Sequence, residues 1–167
     1  MQSEQRRQAI LEILHSASTP ISASALATRF SVSRQVIVGD IALLRAAGSE
    51  ISATPRGYVI QRSLGGLIQQ VACRHSGADM EAELNAMVDN GCTVLDVIVD
   101  HPVYGQITGP LQLSSRYDVQ QFIARCTQPL SRLTEGIHLH TLSCPDEASY
   151  QRTLRSLDSL GFLLKDE

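Results

Sequence analysis

The histidines of this sequence are the residues whose type and spacing could support metal chemistry. Four of the five occur after residue 70, at His75, His101, His138 and His140. His138 and His140 are two residues apart in a β-like segment, so both would project from one face of a strand, with Ile137 and Leu139 on the other. Imidazole nitrogens suit zinc, nickel, iron or cobalt rather than calcium or magnesium. The pair therefore indicates a candidate transition-metal site.

The elements around these histidines would bring His75 to the same place. Apolar periodicity predicts strands at 67–75, 93–99, 105–113 and 137–143, and helices at 78–90, 115–126 and 145–160. Gly91 and Gly161 would end two of the helices, Ser115 and Asp118 would cap the other, and a short strand at 162–165 would finish the chain.

The first six of these elements are in the order β-α-β-β-α-β, which is typical of a ferredoxin-like α+β domain. If the first and last strands of that sheet are antiparallel neighbours, His75 lies beside His138 and His140. A carboxylate from the following helix could complete the cluster, and spacing leaves Asp79, Glu81 and Glu83 as open choices.

The first sixty residues predict a different kind of unit. Ser3, Ser22 and Ser33 are N-cap candidates for three helices, over 3–16, over 23–30 and from 34 to a C-terminal Gly48. The three-residue turn 31–33 between the second and third helices is typical of a helix-turn-helix. The segment 51–60 alternates and turns at 55–57, which predicts a two-stranded wing. The predicted inward-facing residues are Ile10, Ile13, Leu14, Ala17, Leu26, Phe30, Val36, Ile37, Ile41 and Leu44.

A winged helix-turn-helix over 1–62 followed by a second domain over 67–167, joined by a small-residue linker at 62–66, is therefore the expected organisation. Residues 1–62 carry a net charge of +3 and the remainder −6, for a total of −3. A basic module joined to an acidic one is expected if the first module alone meets DNA. A helical protein-interaction module is the alternative.

The DNA-contacting residues follow from the geometry of such a module. A recognition helix enters the major groove by its N-terminal end, which places Ser33, Arg34 and Gln35 near base edges and phosphates. Arg56 at the wing tip would reach phosphate or the minor groove.

The composition of the sequence bears on where the protein is found in the cell. No run of about 18 apolar residues is present, and the start does not resemble a signal peptide, so we expect a cytoplasmic protein without a membrane partner. The four cysteines form no C-x-x-C pair, and we expect buried, reduced thiols rather than a cysteine zinc site.

Segments in both halves of the chain resemble known families. Val32–Ile37 and Asp40-Ile41 resemble the winged-helix domain of many bacterial repressors, although Gly39 stands where that family usually has a larger residue and leaves the target sequence open. The strings Val97–Gly105, Pro129–Ser131 and Gly136–Thr141 resemble the three-histidine (3H) domain. With a winged helix, that domain marks niacin-responsive repressors of NAD biosynthesis and niacin-uptake genes. The resemblance implies a divalent metal held by His75, Glu83, His138 and His140.

These resemblances lead to a specific expectation. Nicotinic acid would bind beside the metal as a corepressor, with His101, Tyr104 and Arg116 as candidate pocket residues, and a homodimer would place two winged helices on a palindromic operator. The alternative is a regulator for which the metal itself is the signal. We do not expect an enzyme, because the sequence offers no general base or nucleophile arrangement beside the cluster.

Overall fold

The computed structural model describes residues 2–60 and 66–165. Internal contacts divide the chain into two units, residues 1–63 and 64–167, which are described separately below. Of the predicted linker, residues 62–65 lie outside the described residues.

The first unit contains three helices and a hairpin: α1 (Ser3–Ser16), α2 (Ala23–Phe30), α3 (Arg34–Ala46), β1 (Ile51–Thr54) and β2 (Gly57–Ile60). The hydroxyls of Ser22 and Ser33 cap α2 and α3 by accepting from the amides of Ala25, at 3.0 Å, and Val36, at 3.2 Å. The predicted cap of α1 was wrong, because Ser3 is already helical and Gln2 occupies the cap position. The wing and the three-residue turn before α3 are confirmed.

The core of this unit is formed by one face of each helix and by the hairpin. Ile10, Leu26, Ile37 and Ile41 are almost fully buried. Val36 was predicted to face inward but is 38% exposed. The buried face of α3 follows 37, 41 and 44, and residue 36 lies about 100° away around the helix.

Two contacts of this core could not be predicted from the apolar pattern of the sequence. The buried Asp40 carboxylate accepts from Arg6 at Nε, at 2.6 Å, and at a second guanidinium nitrogen, at 3.3 Å, which ties α1 to α3. Ile21 pairs with Tyr58 through an isolated antiparallel β-bridge. A Cβ at Gly57 would lie 2.4 Å from the Ile21 carbonyl carbon, so this close approach needs glycine.

The second unit is an antiparallel sheet covered on one face by helices. Its elements are β3 (Leu67–Arg74), α4 (Met80–Asp89), β4 (Thr93–His101), β5 (Gly105–Leu113), α5 (Arg116–Arg125), β6 (Ile137–Cys144) and α6 (Glu147–Ser159). A short 3₁₀ turn (Gly77–Asp79) precedes α4, and another (Leu130–Thr134) lies between α5 and β6. The predicted α+β class and element order are confirmed.

The strand order is β3-β6-β4-β5. The expected antiparallel pairing of the first and last strands, β3 and β6, is present. A ferredoxin-like sheet has its first and third strands at the centre, whereas here the second and fourth strands, β4 and β6, are central. The predicted ferredoxin-like topology was therefore wrong in detail, because element order alone does not determine which strands pair.

The ends of the unit also differ from expectation. The predicted strand at 162–165 is reduced to one bridge between Leu163 and Cys73 on the open edge of β3. The expectation of four reduced thiols was wrong, since Cys92 and Cys144 form a disulfide while Cys73 and Cys126 are free. The two partners are 52 residues apart, so no local spacing revealed the pair. Among the described residues, no helix is long and apolar enough to cross a membrane.

Candidate functional site

A carboxylate surrounded by three imidazoles lies inside the second unit. Glu83 is fully buried at the start of α4. His75 Nε2 lies 2.5 Å from its Oε2, and His138 Nε2 and His140 Nε2 lie 2.8 and 3.3 Å from its Oε1. The structure thus brings together the four residues of the implied metal set, and of the acidic residues left open by spacing it is Glu83 that faces the histidines. We call these four side chains the histidine cluster.

The sheet register explains how the cluster forms. His138 and His140 share the inner face of central strand β6, and both are 3% exposed. His75 directly follows edge strand β3, whose last residue Arg74 is paired with Ile137. Helix α4 crosses this face and places Glu83 over the histidines. The polar cluster therefore interrupts an otherwise apolar core layer.

Each imidazole is oriented by a backbone carbonyl at its other nitrogen. Nδ1 of His75, His138 and His140 lies 2.6, 2.8 and 2.7 Å from the carbonyl oxygens of Ser76, Gly136 and Asp96. A carbonyl can only accept, so each Nδ1 carries the hydrogen and donates it. Nε2 is then the nitrogen left to bind a cation, as in known metal sites, where the second ring nitrogen donates to a carbonyl or carboxylate.

Glu83 controls the charge of the cluster. Burial alone would raise the pKa of Glu83, but the neighbouring imidazoles of His140, His138 and His75 outweigh burial and hold that pKa well below its ordinary value. Burial opposes protonation of His75 and His140, yet the Glu83 carboxylate raises the pKa of both. The carboxylate thus stays ionised and stabilises positive charge around it.

The donor set fits a transition metal. Three Nε2 atoms face one carboxylate, and each ring has a fixed orientation. Three nitrogens and one oxygen suit zinc, nickel or iron.

A buried thiol that the sequence reasoning did not place lies next to this set. Cys73 Sγ, a Glu83 carboxylate oxygen and a His138 ring nitrogen lie within 4.8 Å of one another. Burial, followed by the nearby Glu83 carboxylate, raises the pKa of the Cys73 thiol well above its ordinary value. The sequence could have predicted this position, because Cys73 and His75 are two residues apart and would share one face of the predicted strand.

A cavity of about 570 Å³ opens beside His75. It is lined by Arg74, His75, Ser76, Gly77, Ser131, Arg132, Glu135 and Gly136. Arginines from two separate segments, the end of β3 and the second 3₁₀ turn, therefore border one opening next to the histidine cluster. The sequence gave no signal for this, because the cavity exists only where residues 131–136 fold back onto β3.

The three predicted pocket residues lie elsewhere. His101 Nδ1 accepts from the amides of Val103 and Tyr104 in the β4–β5 hairpin, which is the arrangement of a turn histidine. The Tyr104 ring contacts His101 but is 79% exposed. Arg116 forms a bidentate ion pair with Asp89 on α4. None of the three lines the cavity beside His75.

Three of the four predicted DNA-contacting residues lie at the start of α3, and the fourth lies in the wing. Arg34 and Gln35 are exposed in its first turn. The Ser33 hydroxyl accepts from the Val36 amide and keeps its own hydrogen for an outside acceptor. Arg56 is half-buried in the wing turn, where Thr54 Oγ1 accepts from its amide at 3.2 Å.

Both units match known domain families. Residues 6–59 match an HTH domain, and residues 68–166 match the 3H domain. The chain is 43% identical to a probable transcription repressor NiaR of Thermotoga maritima, over 98% of this chain and 95% of the relative. It is 41% identical to the transcription repressor NadR of Bacillus subtilis, over 96% of this chain and 94% of the relative.

The chain belongs to the NiaR/NadR family of transcription repressors. It is accordingly a DNA-binding regulator and not an enzyme. Membership of the NiaR/NadR family confirms the predicted winged helix followed by a 3H domain.

Proposed function

We propose that this NiaR/NadR family member is a niacin-responsive repressor that binds operator DNA with nicotinic acid as corepressor. Its targets would be genes of NAD biosynthesis and niacin uptake. The observation that carries the effector site is the arginine-bordered cavity beside the histidine cluster. The family resemblance supports the choice of effector.

The cavity has the properties that a small carboxylic acid requires. Its volume of about 570 Å³ lies within the range of about 300–1,000 Å³ for small-molecule sites. Arg74 and Arg132 offer planar guanidinium groups, which bind carboxylates through paired hydrogen bonds. His75 lines the cavity, and its ring, which is 3% exposed, belongs to the cluster. We therefore propose the effector site here rather than at His101, Tyr104 and Arg116.

The histidine cluster would hold a divalent metal through His75, Glu83, His138 and His140. When bound, the ion would supply a positive charge and an electron-pair acceptor beside the cavity. The chain's own part is to fix the three rings through backbone carbonyls and to keep Glu83 ionised. Because His75 belongs both to the cluster and to the cavity wall, metal binding would also set the shape of the effector site.

The repressor would meet DNA through the start of α3 and the wing. Ser33, Arg34 and Gln35 would contact the major groove and Arg56 the backbone or minor groove. A homodimer in the cytoplasm would place two such surfaces on a palindromic operator. The effector acts as corepressor if it binds the DNA-competent state of that dimer more tightly than the other state.

Fluorescence anisotropy of the metal-loaded protein, on DNA from upstream of niacin-related genes, tests this proposal. We expect nicotinic acid to tighten binding, and Arg132→Ala to abolish the tightening while leaving effector-free binding unchanged. Arg116→Ala is the matched control, since it removes an exposed arginine outside the cavity. If nicotinic acid does not change operator affinity, the corepressor role is refuted. If the two variants respond equally to nicotinic acid, the cavity is refuted as the effector site.

A metal-responsive regulator is the second candidate, and the buried histidine cluster is the observation that favours it. In that case metal alone would change operator affinity, and nicotinic acid would add nothing. Anisotropy of the metal-free and metal-loaded protein, without effector, separates the two functions.

A further inference from the structure

The thiol of Cys73 is not used by the four-residue metal set, although it faces that set. Cys73 is 0% exposed and free, and it lies on the inner face of β3. Its cross-strand partner in the register is His138. Directly paired residues of an antiparallel sheet have their side chains about 5 Å apart on one face. The position of Cys73 beside a cluster histidine is therefore built into the strand pairing.

The distances bring this sulfur within reach of an ion held by the cluster. Sγ lies within 4.8 Å of both a Glu83 oxygen and a His138 nitrogen. A nitrogen and a sulfur bound to one five-coordinate ion are about 3.0–3.7 Å apart, given bond lengths of roughly 2.0 and 2.3 Å and bond angles of about 90–120°. The two atoms would therefore have to approach by no more than about 1–2 Å.

A packing role alone accounts less well for this placement. Cys73 belongs to the apolar core, and a buried cysteine often acts there as a small hydrophobe. Here, however, the sulfur faces an ionised carboxylate and an imidazole that both lie on one side of it. Valine or alanine would fill the volume without bringing a soft donor to this point.

We infer that Cys73 is a fifth ligand of the cluster and shifts its preference toward thiophilic cations. This inference rests on the metal site of the proposed function. On binding, the thiol gives its proton to solvent and the sulfur donates an electron pair to the ion, with no change of oxidation state. A donor set of three nitrogens, one oxygen and one sulfur favours zinc, cobalt or cadmium over manganese, which prefers oxygen ligands.

Cobalt(II) absorption of the full chain, loaded without oxygen, tests the inference. We expect visible d–d bands that report a bound ion, together with a near-ultraviolet sulfur-to-cobalt charge-transfer band. Cys73→Ser should lose the charge-transfer band and keep the d–d bands. Cys126→Ser is the matched control, because it removes the other free thiol and should leave both features intact.

The possible failures are distinguishable. If d–d bands appear without a charge-transfer band, or if that band survives Cys73→Ser, the ion is bound but Cys73 is not its ligand. If the wild-type protein gives no d–d bands, the metal site itself is refuted, and the inference with it. Cys73→Ala provides a second variant should serine disturb the core. It should again bind cobalt without the charge-transfer band, and should lose more affinity for cadmium than for manganese.

Discussion

Replacing Gly136 by alanine should loosen the proposed metal site without removing any of its four candidate ligands. Gly136 has φ +90° and directly precedes β6. A Cβ there would lie 2.4 Å from the carbonyl oxygen of His75, whereas ordinary contact begins near 3.4 Å. The two segments would have to separate by about 1 Å. Metal–ligand distances tolerate only about 0.2 Å, so this displacement is large for the ion.

The same glycine also holds a ring of the cluster. Its carbonyl oxygen accepts from His138 Nδ1 at 2.8 Å, and it lies 3.4 Å from the His75 amide nitrogen. Moving residue 136 would therefore displace the backbone of His75 and rotate the imidazole of His138. Loss of such orienting contacts typically lowers metal affinity by about 10–100-fold, and we expect a decrease in this range.

Gly161→Ala provides the matched control. Gly161 also has a positive φ, +75°, but a Cβ there meets no atom within 4 Å. Both variants carry left-handed strain of roughly 1–2 kcal/mol, so thermal unfolding of the metal-free proteins should show a loss in each and a larger loss for Gly136→Ala. Competition with a chromophoric chelator then measures metal affinity. If both variants bind metal as tightly as wild type, the coupling between Gly136 and the cluster is refuted.

Three further predictions concern the caps and the charge of the cluster. Ser33→Ala and Ser22→Ala should each lower the free energy of unfolding by about 1 kcal/mol in chemical denaturation. Only Ser33→Ala should also weaken operator binding. Equal operator affinities of the two variants would contradict the assigned DNA face. Metal binding near neutral pH should release protons, because the raised pKa values of His75 and His140 favour protonated Nε2 atoms and a Cys73 ligand would lose its thiol proton. Calorimetry in buffers of different ionisation enthalpy counts the protons released. The metal-free protein should be most stable between about pH 4.5 and 6.5. The stabilisation from His75 and His140 is lost as pH rises through their raised pKa values, and that from Glu83 is lost as pH falls through its lowered pKa. A free energy of unfolding that does not change across pH 4–8 would contradict this.

The winged helix was predictable because its signals are local. Ser22 and Ser33 cap the helices that follow them, and Gly48 ends α3 with φ +100°, as the sequence suggested. The ion pair of Arg6 with Asp40 was not predictable, because it joins residues 34 positions apart and breaks the apolar pattern. Val36 was misplaced for a related reason, since β-branched apolar side chains also occur on exposed faces.

The histidine cluster was predictable only in part. The spacing of His138 and His140 gave their common face, and the pairing of the first and last strands brought in His75. Choosing Glu83 over Asp79 and Glu81 required the family resemblance, because the three carboxylates differ only in their position around the start of α4. The cavity beside His75 was not predicted, because its arginines belong to segments that meet only through tertiary folding.

The three carbonyls that orient the imidazoles come from three different segments, at Ser76, Asp96 and Gly136. Glu83, His138 and His140 are at most 3% exposed, so an ion held there would be enclosed between the sheet and α4, and we expect it to exchange when the contacts between these segments open. Its residence time would follow the rate of that local opening rather than the strength of its bonds to the ligands. A slowly exchanging ion is suited to a permanent structural role, and this kinetic argument favours nicotinic acid over free metal as the signal to which the repressor responds.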